Sequence, residues 1–124
     1  MIKHYRDLKV WQKAMDMAEE IFKNTTAFPS EQRYVMVSQM QRCALSVPSN
    51  IAEGRSRHSE KDFIYHLNVA KASLAELETQ IILASRLEYI KADKAENLLY
   101  QTEEITKMLH GLKTSLRNEE TTTC

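Results

Sequence analysis

Four polar residues recur at intervals of four, four and three positions: Arg42, Ser46, Asn50 and Glu53. On a helix this spacing places them on one face, and that face lies beside an apolar stripe rather than opposite it. A partly buried polar face needs hydrogen-bond partners. We expect those partners on the following helix, at Ser73, Glu76 and Glu78, including an Arg42–Glu76 contact. One chemistry open to this face is therefore to lock two helices together.

The same segment leads into a basic stretch, which offers a second chemistry. Arg55, Arg57 and Lys61 follow directly, and arginine and lysine side chains bind phosphate oxygens. Gathered at one end of a helix pair, they would present a polar, partly basic surface with Arg42 supporting it from below. The sequence therefore predicts a binding site for nucleic acid or a protein partner, made of six residues: Arg42, Asn50, Glu53, Arg55, Arg57 and Lys61.

Residue patterns that support catalysis or metal binding are missing from the sequence. A di-iron site in a helical bundle needs Glu-x-x-His pairs, and none of the four histidines has a glutamate three positions earlier. The two glycines cannot build a phosphate-binding loop, and Cys43 fits the apolar pattern of a helix core. We predict no catalytic residue, metal site, cofactor or small-molecule substrate. A helical-bundle ribonuclease is a distant alternative, because its Arg-x4–6-His pattern is absent.

Apolar residues recur every three or four positions in four long segments, which is typical of helices that bury one face. We predict helices at about residues 7–26, 31–54, 60–88 and 93–116, with residues 117–124 as a frayed tail. The predicted core stripe of the first helix consists of Leu8, Trp11, Met15, Ala18 and Phe22, widened by Ala14 and Ile21. The predicted stripes of the other helices are Met40, Ala44, Val47 and Ile51 on the second, Phe63, Leu67, Ala70, Leu74, Leu77, Ile81 and Ala84 on the third, and Leu98, Thr102, Ile105, Leu109, Leu112 and Leu116 on the fourth.

Serine and glycine positions predict where these helices begin, end and pack. Ser30 and Ser59 are candidate N-caps of the second and third helices. Gly54 suits the left-handed position just past the end of the second helix. Gly111 lies inside the fourth helix, where we expect it to permit close packing.

The absence of strand signals decides the fold class. No segment alternates with a period of two, and neither Asn-Gly nor Asp-Gly occurs as a hairpin turn. Long helices joined by short connections must fold back on one another. The sequence therefore predicts an all-α protein, an antiparallel up-down-up-down four-helix bundle that forms a single domain over residues 1–124.

Charge and cysteine content limit the partners and the compartment. The chain carries 17 basic and 17 acidic residues, which argues against a strongly basic protein that coats nucleic acid. Residues 1–61 have a net charge of +3 and residues 62–124 of −3. Two cysteines make no disulfide framework, the N-terminal residues lack an apolar signal region, and no apolar run could span a bilayer. We expect a cytoplasmic protein without a membrane segment.

Several of these motifs together resemble a known family. They are the segment that starts near Trp11, the turn Phe28-Pro29-Ser30-Glu31, the Gln39/Arg42 pair, "NIAEG" at 50–54 and "ASLAELE" at 72–78. The pattern covers about residues 7–116 and resembles the four-helix-bundle family of 23S rRNA intervening-sequence proteins, which includes relatives of the accessory variability determinant of diversity-generating retroelements. One departure is Lys91, where the family often has a serine that caps the fourth helix.

The resemblance implies a non-enzymatic cytoplasmic bundle that assembles as a homopentamer, with RNA or a nucleic-acid-bound protein as partner. A purely structural or protein-binding assembly with no nucleic-acid role is the alternative, and the neutral composition favours it. Apolar residues outside the main stripes would suit a subunit interface. They are Val10, Met17, Val35, Met36, Ile64, Ile82, Leu99 and Met108.

Overall fold

Four α-helices account for most of the chain. The computed structural model describes residues 4–123, and the side chains of residues 4–117. The helices are α1 (Lys9–Thr25), α2 (Ser38–Arg55), α3 (Glu60–Arg86) and α4 (Ala92–Thr123). Short 3-10 turns lie at Tyr5–Asp7 and Ser30–Gln32, and there is no strand among the described residues. The predicted all-α, four-helix fold is confirmed.

Contacts between the helices give their directions. The Ser46 hydroxyl meets that of Ser73, whereas Asn50, further along α2, meets His66, which comes earlier in α3. The same reversed order relates α3 to α4, where Thr102 bonds to Glu78 and Lys113 bonds to Asn68. An ion pair between Lys13 and Glu104 connects α4 back to α1. The Gln41 amide donates to the Thr25 hydroxyl at 3.1 Å, so the end of α1 lies beside the start of α2. Consecutive helices therefore run antiparallel around a shared core.

The second helix does not begin as predicted at residue 31. A 3-10 turn at Ser30–Gln32 passes into a π-helical turn at Arg33–Val37, and only from Ser38 is the helix α-helical. Ser30 makes no side-chain cap, so that expectation is wrong. Apolar spacing alone does not reveal which hydrogen-bond pattern a helical turn adopts, and Tyr34, Val35 and Val37 are types with reduced α-helix propensity.

The fourth helix continues beyond the predicted end at residue 116. Its backbone is helical to Thr123, so the frayed tail from residue 117 is wrong for residues 117–123, and Cys124 lies outside the described residues. The loss of an apolar stripe does not end a helix by itself, and no Gly or Pro follows Leu116. The helix begins at Ala92 although Lys91 replaces a capping serine.

The third helix ends two residues earlier than predicted, in a Schellman turn. Glu88 has a positive φ of 62°, the N–H of Tyr89 bonds to the Ala84 carbonyl at 2.9 Å, and the Glu88 N–H bonds to Ser85 at 3.0 Å. This position usually carries glycine, which is why sequence reasoning does not place the turn there.

The buried face of α1 is turned relative to the predicted stripe. Met15 and Phe22 are 43% and 40% exposed. The residues that α1 buries are Val10, Ala14, Met17, Ala18, Ile21 and Thr25. Val10 and Met17, expected at a subunit interface, therefore belong to the core. Two apolar stripes lie side by side on α1, and packing through Ala14 and Ala18 lets the helix approach its neighbours closely.

The other three helices bury their predicted stripes, except that Leu112 on α4 is only half-buried. Met40, Ala44, Val47 and Ile51 are buried on α2, and the α3 stripe from Phe63 to Ala84 is buried throughout. On α4, Thr102 is fully buried within the stripe, and its hydroxyl bonds to a Glu78 carboxylate oxygen at 2.8 Å. None of the helices in the described part of the chain has the length and apolar character needed to span a membrane.

Candidate functional site

Gly54 allows α2 and α3 to meet closely where they connect. The helix continues through Gly54 to Arg55, no described glycine has a positive φ, and the N–H of Ser56 bonds to the Ala52 carbonyl at 3.1 Å. A Cβ atom on Gly54 would lie 2.8 Å from the His66 Cβ and 3.0 Å from the Phe63 Cδ1. The predicted left-handed cap is therefore wrong, and the glycine is needed because a side chain would not fit.

A chain of hydrogen bonds joins the polar face of α2 to α3. The Ser46 hydroxyl lies 2.8 Å from that of Ser73, and the Asn50 amide donates to the Ser46 carbonyl and hydroxyl at 2.8 and 3.0 Å. The Asn50 oxygen lies 3.0 Å from Nδ1 of His66. Asn50 is half-buried and turned towards α3. The structure thus gives this predicted binding residue a helix-locking position.

Arg42 lies apart from the rest of the predicted site. It precedes Arg55 by 13 residues on the same helix, which is roughly 20 Å at 1.5 Å per residue. Its side chain is exposed, and no ion pair within 4.0 Å joins it to Glu76, contrary to expectation. Arg42 therefore does not support the basic surface from below.

The remaining predicted residues come together at the α2–α3 connection. A guanidinium nitrogen of Arg57 lies 2.7 Å from the Glu53 carboxylate, and both side chains are about half exposed. Arg55 is half-buried, and Lys61 is exposed in the first turn of α3. The Ser59 hydroxyl accepts the N–H of Asp62 at 3.3 Å, so the predicted N-cap is confirmed.

The fold adds cations that sequence reasoning misses. We call residues 49–71 and 109–117 the basic end of the bundle; they hold six Lys or Arg and three Asp or Glu, a net charge of +3. Its cations are Arg55, Arg57, Lys61, Lys71, Lys113 and Arg117. The opposite end, residues 19–37 and 82–96, holds five basic and six acidic residues, a net charge of −1. Only the antiparallel register of α3 and α4 brings Lys71 and Lys113 to one end, so local spacing could not reveal them.

Cys43 is a free and buried cysteine. Burial, followed by a hydrogen bond to Glu76, raises the pKa of the Cys43 thiol to about 11. The thiol is therefore protonated at neutral pH, and the Gln80 amide lies 3.6 Å from its sulfur. Among residues 4–117, no three His, Cys, Asp or Glu side chains are grouped so as to hold a metal ion. What the basic end can do chemically is bind anions.

A groove with an apolar floor runs along the outer face of α3 and α4. It has a volume of about 490 Å³, and Ile82, Ala95 and Leu99 line it. Ile82 is 43% exposed and Tyr100, at the edge of the groove, is 67% exposed. Exposed apolar residues that lie together in this way are typical of protein interfaces.

The fold and the site define a class: antiparallel four-helix bundles with a basic end. Residues 6–111 match the family model of the 23S rRNA-intervening sequence protein. The chain belongs to this family, which confirms the resemblance that the sequence motifs indicate.

One solved structure gives an independent comparison. A protein of unknown function from the S23 ribosomal protein family of Bacteroides thetaiotaomicron VPI-5482 is 30% identical to this chain, with a TM-score of 0.76. The alignment covers 84% of this chain and 97% of that one. No curated protein matches this chain.

Proposed function

We propose that this protein is a non-enzymatic, self-associating module of the cytoplasm that binds RNA, or a ribonucleoprotein particle, through its basic end. The observation that carries the proposal is the separation of charge along the bundle, +3 at one end and −1 at the other in a chain of zero net charge. Cations clustered on one part of a surface are the electrostatic feature that nucleic acids recognise.

The contacts at the basic end suit phosphate groups. Arg57 is exposed and held towards Glu53, while Lys61 is exposed at the start of α3. A guanidinium can bind a phosphate through two parallel hydrogen bonds. Phosphate would compete with Glu53 for Arg57, so Glu53 sets a limit on affinity.

Self-association would raise this affinity. One basic end with a net charge of +3 is a modest electrostatic site. A homopentamer, as the resemblance implies, would place five such ends on one particle, so that a long RNA could be held at several points at once. The apolar groove between α3 and α4 supports self-association because its lining is partly exposed in the single chain.

A protein-binding assembly with no nucleic-acid role is the second candidate. The equal numbers of acidic and basic residues favour it, as do the large apolar side chains on the exterior. Tyr34 is 84% exposed and Val35 is 61% exposed, both in the π-helical turn before α2. In this candidate the exposed apolar residues are the binding surface and the basic end only keeps the protein in solution.

The test is binding of a fluorescein-labelled fragment of 23S rRNA, measured by anisotropy at about 50 mM salt. Arg55→Ala combined with Arg57→Ala should weaken binding about tenfold or more. Glu53→Gln should strengthen it, because Arg57 loses its carboxylate partner. Arg42→Ala combined with Lys94→Ala is the matched control, since it also removes two positive charges from exposed residues outside the basic end. Arg42 lies roughly 20 Å from Arg55, and this control pair should leave affinity within about twofold.

Two results would overturn the proposal. Wild-type protein that does not bind the fragment would favour the protein-binding candidate. Equal loss of affinity for the Arg42/Lys94 control pair and for the Arg55/Arg57 pair would show that binding follows total charge and not the basic end. The labelled RNA should also stay intact after incubation with the protein. If RNA cleavage activity remains with the protein after further purification, the ribonuclease alternative is favoured.

A further inference from the structure

A second group of polar and basic residues lies on the side of the basic end, where α3 packs against α4. We call it the α3–α4 cluster: Asn68, Lys71, Lys113 and Arg117. The ammonium of Lys113 donates to the Asn68 side-chain oxygen at 3.0 Å, which fixes the two helices relative to each other. Lys71 follows Asn68 by three residues and Arg117 follows Lys113 by four, so each lies one helical turn away on the same face.

The stretches of α3 and α4 that carry this cluster contain no acidic residue. Between Phe63 and Ala75 on α3 there is no Asp or Glu, and between Ile105 and Arg117 on α4 there is again none. The rest of α4 is different, since Glu96, Glu103 and Glu104 lie within its first half, and Glu119 and Glu120 follow Arg117 in the sequence. The two acid-free stretches meet because the helices are antiparallel.

The two lysines of the cluster are therefore surrounded by neutral and basic groups in these stretches. Lys113 bonds to a neutral amide and not to a carboxylate. Partial loss of water contact, followed by the charges of Arg117 and Lys71, lowers the pKa of Lys113. A bound anion would relieve this repulsion.

An exposed aromatic ring lies beside the cations. Tyr65 precedes Asn68 by three residues on α3 and is 63% exposed. Its ring packs edge-on against His66, with centroids 5.2 Å apart and planes at 78°. An exposed ring next to cations is the combination that binds single-stranded nucleic acid, because bases stack on the ring while cations hold the phosphates.

We propose that this face binds a segment of single-stranded RNA, with phosphates on Lys71 and Lys113 and a base stacked on Tyr65. This inference rests on the proposed function and specifies which surface the bound RNA follows. Lys61 precedes Tyr65 by four residues, one helical turn, so the strand would run from the α2–α3 connection along α3 to the cluster.

Single-stranded RNA fits the surface better than an acidic peptide does. Lysines alone would suit either partner, but an exposed tyrosine and an amide beside them add stacking and hydrogen bonding to a base. Unpaired bases are needed for stacking, so a duplex of the same length should bind less tightly.

The experiment compares variants for binding to a fluorescein-labelled oligoadenylate of about 12 nucleotides, by anisotropy over a range of salt. Lys71→Gln combined with Lys113→Gln removes two charges while retaining long side chains. Affinity at about 50 mM salt should fall about tenfold or more, and the slope of log K against log salt should become shallower by about 1.4. Lys107→Gln is the control, because Lys107 is on α4 but pairs with Glu103 at 3.8 Å; it should change affinity by less than about twofold.

Variants of Tyr65 distinguish a site for single-stranded RNA from a group of cations that binds any anion. Tyr65→Phe keeps the ring and should bind within about twofold of wild type, whereas Tyr65→Ser should weaken binding about tenfold. Circular dichroism melts check that each variant is folded. Polyglutamate of equal length should compete much less well than unlabelled oligoadenylate.

The outcomes distinguish this inference from the proposed function. If the lysine pair leaves affinity unchanged while the Arg55/Arg57 pair weakens it, the α3–α4 cluster is not a site and the proposed function stands. If Tyr65→Ser binds like wild type, or polyglutamate competes equally, the assignment to single-stranded RNA is wrong. If the wild type binds no RNA at all, both proposals fail.

Discussion

The side-chain oxygen of Asn50 lies 3.0 Å from Nδ1 of His66, and this contact joins α2 to α3 just before the two helices connect. The amide of Asn50 is also used, because it donates to both the carbonyl and the hydroxyl of Ser46. Both polar ends of the Asn50 side chain are therefore engaged within the bundle. On the polar face of α2, Ser46 and Asn50 are used to pack the helix against α3. The surface that is open to a partner begins after Asn50.

The Asn50–His66 contact should stabilise the fold without affecting RNA binding. Asn50→Ala leaves half-buried groups on His66 and Ser46 without this partner, and we expect the free energy of unfolding to fall by about 1–2 kcal/mol. In a double-mutant cycle with His66→Ala, urea unfolding should give a coupling energy of about 1 kcal/mol. Ser49→Ala, on the exposed side of α2, is the control and should change stability little. A coupling energy near zero would contradict the contact.

The two glycines should respond to alanine in opposite directions. In Gly54→Ala the new Cβ meets the His66 Cβ at 2.8 Å, so the helices must separate, and we expect a loss of about 1–3 kcal/mol. Gly111 is exposed, and a Cβ atom added there would meet no other atom within 4 Å, so the expected close packing is wrong. Gly111→Ala should therefore raise stability by about 0.5–1 kcal/mol. Thermal unfolding measures the stability change of both variants. Equal changes for Gly54→Ala and Gly111→Ala would contradict the close approach of the helices at Gly54.

Cys43 should be unreactive in the folded protein, and its titration should affect stability only at high pH. Burial and then Glu76 raise the pKa of the thiol from its usual 9.0 to about 11. Because the folded state holds the thiol proton more tightly than the unfolded chain does, the raised pKa contributes stability that is complete below about pH 9. This contribution is lost as the pH rises from about 9 to about 11. Relative to Cys43→Ala, the wild type should lose stability over that range in urea unfolding. In a Cys124→Ser background, rapid reaction of native Cys43 with a disulfide reagent at about pH 8 would contradict the burial.

Self-association should depend on the groove between α3 and α4. Sedimentation velocity should give the wild type a mass several times the 14.4 kDa of one chain. Ile82→Glu combined with Tyr100→Glu places charge on the apolar lining, so this pair should sediment as a monomer. Ile82→Val with Tyr100→Phe keeps the surface apolar and should assemble normally. A wild type of 14.4 kDa would rule out self-association, and assembly of the glutamate pair would exclude this groove as the interface.

The helices can be predicted from sequence because apolar spacing reflects burial directly. The α3 stripe from Phe63 to Ala84 is long and has one apolar face, and the structure buries all of it. On α1, Met15 and Phe22 compete with Met17 and Ile21 for the core, and local spacing cannot decide between two adjacent stripes. Packing against the other helices settles which of them is buried.

The candidate site is predictable only where its residues are close in sequence. Glu53, Arg57 and Lys61 can be grouped because one connection holds them all. The sequence pattern places Arg42 on the same helix face, although it lies roughly 20 Å from Arg55 along the axis of α2. Lys113 escapes local reasoning because its place beside Asn68 depends on the register between two helices, which no local pattern gives.

The salt dependence of RNA binding by the wild-type protein tests the central claim most directly. If the basic end holds RNA through its cations, a plot of log K against log salt for the labelled 23S rRNA fragment should be linear, with a slope of about −2 or steeper. A slope near zero, or no binding at about 50 mM salt, would contradict the account.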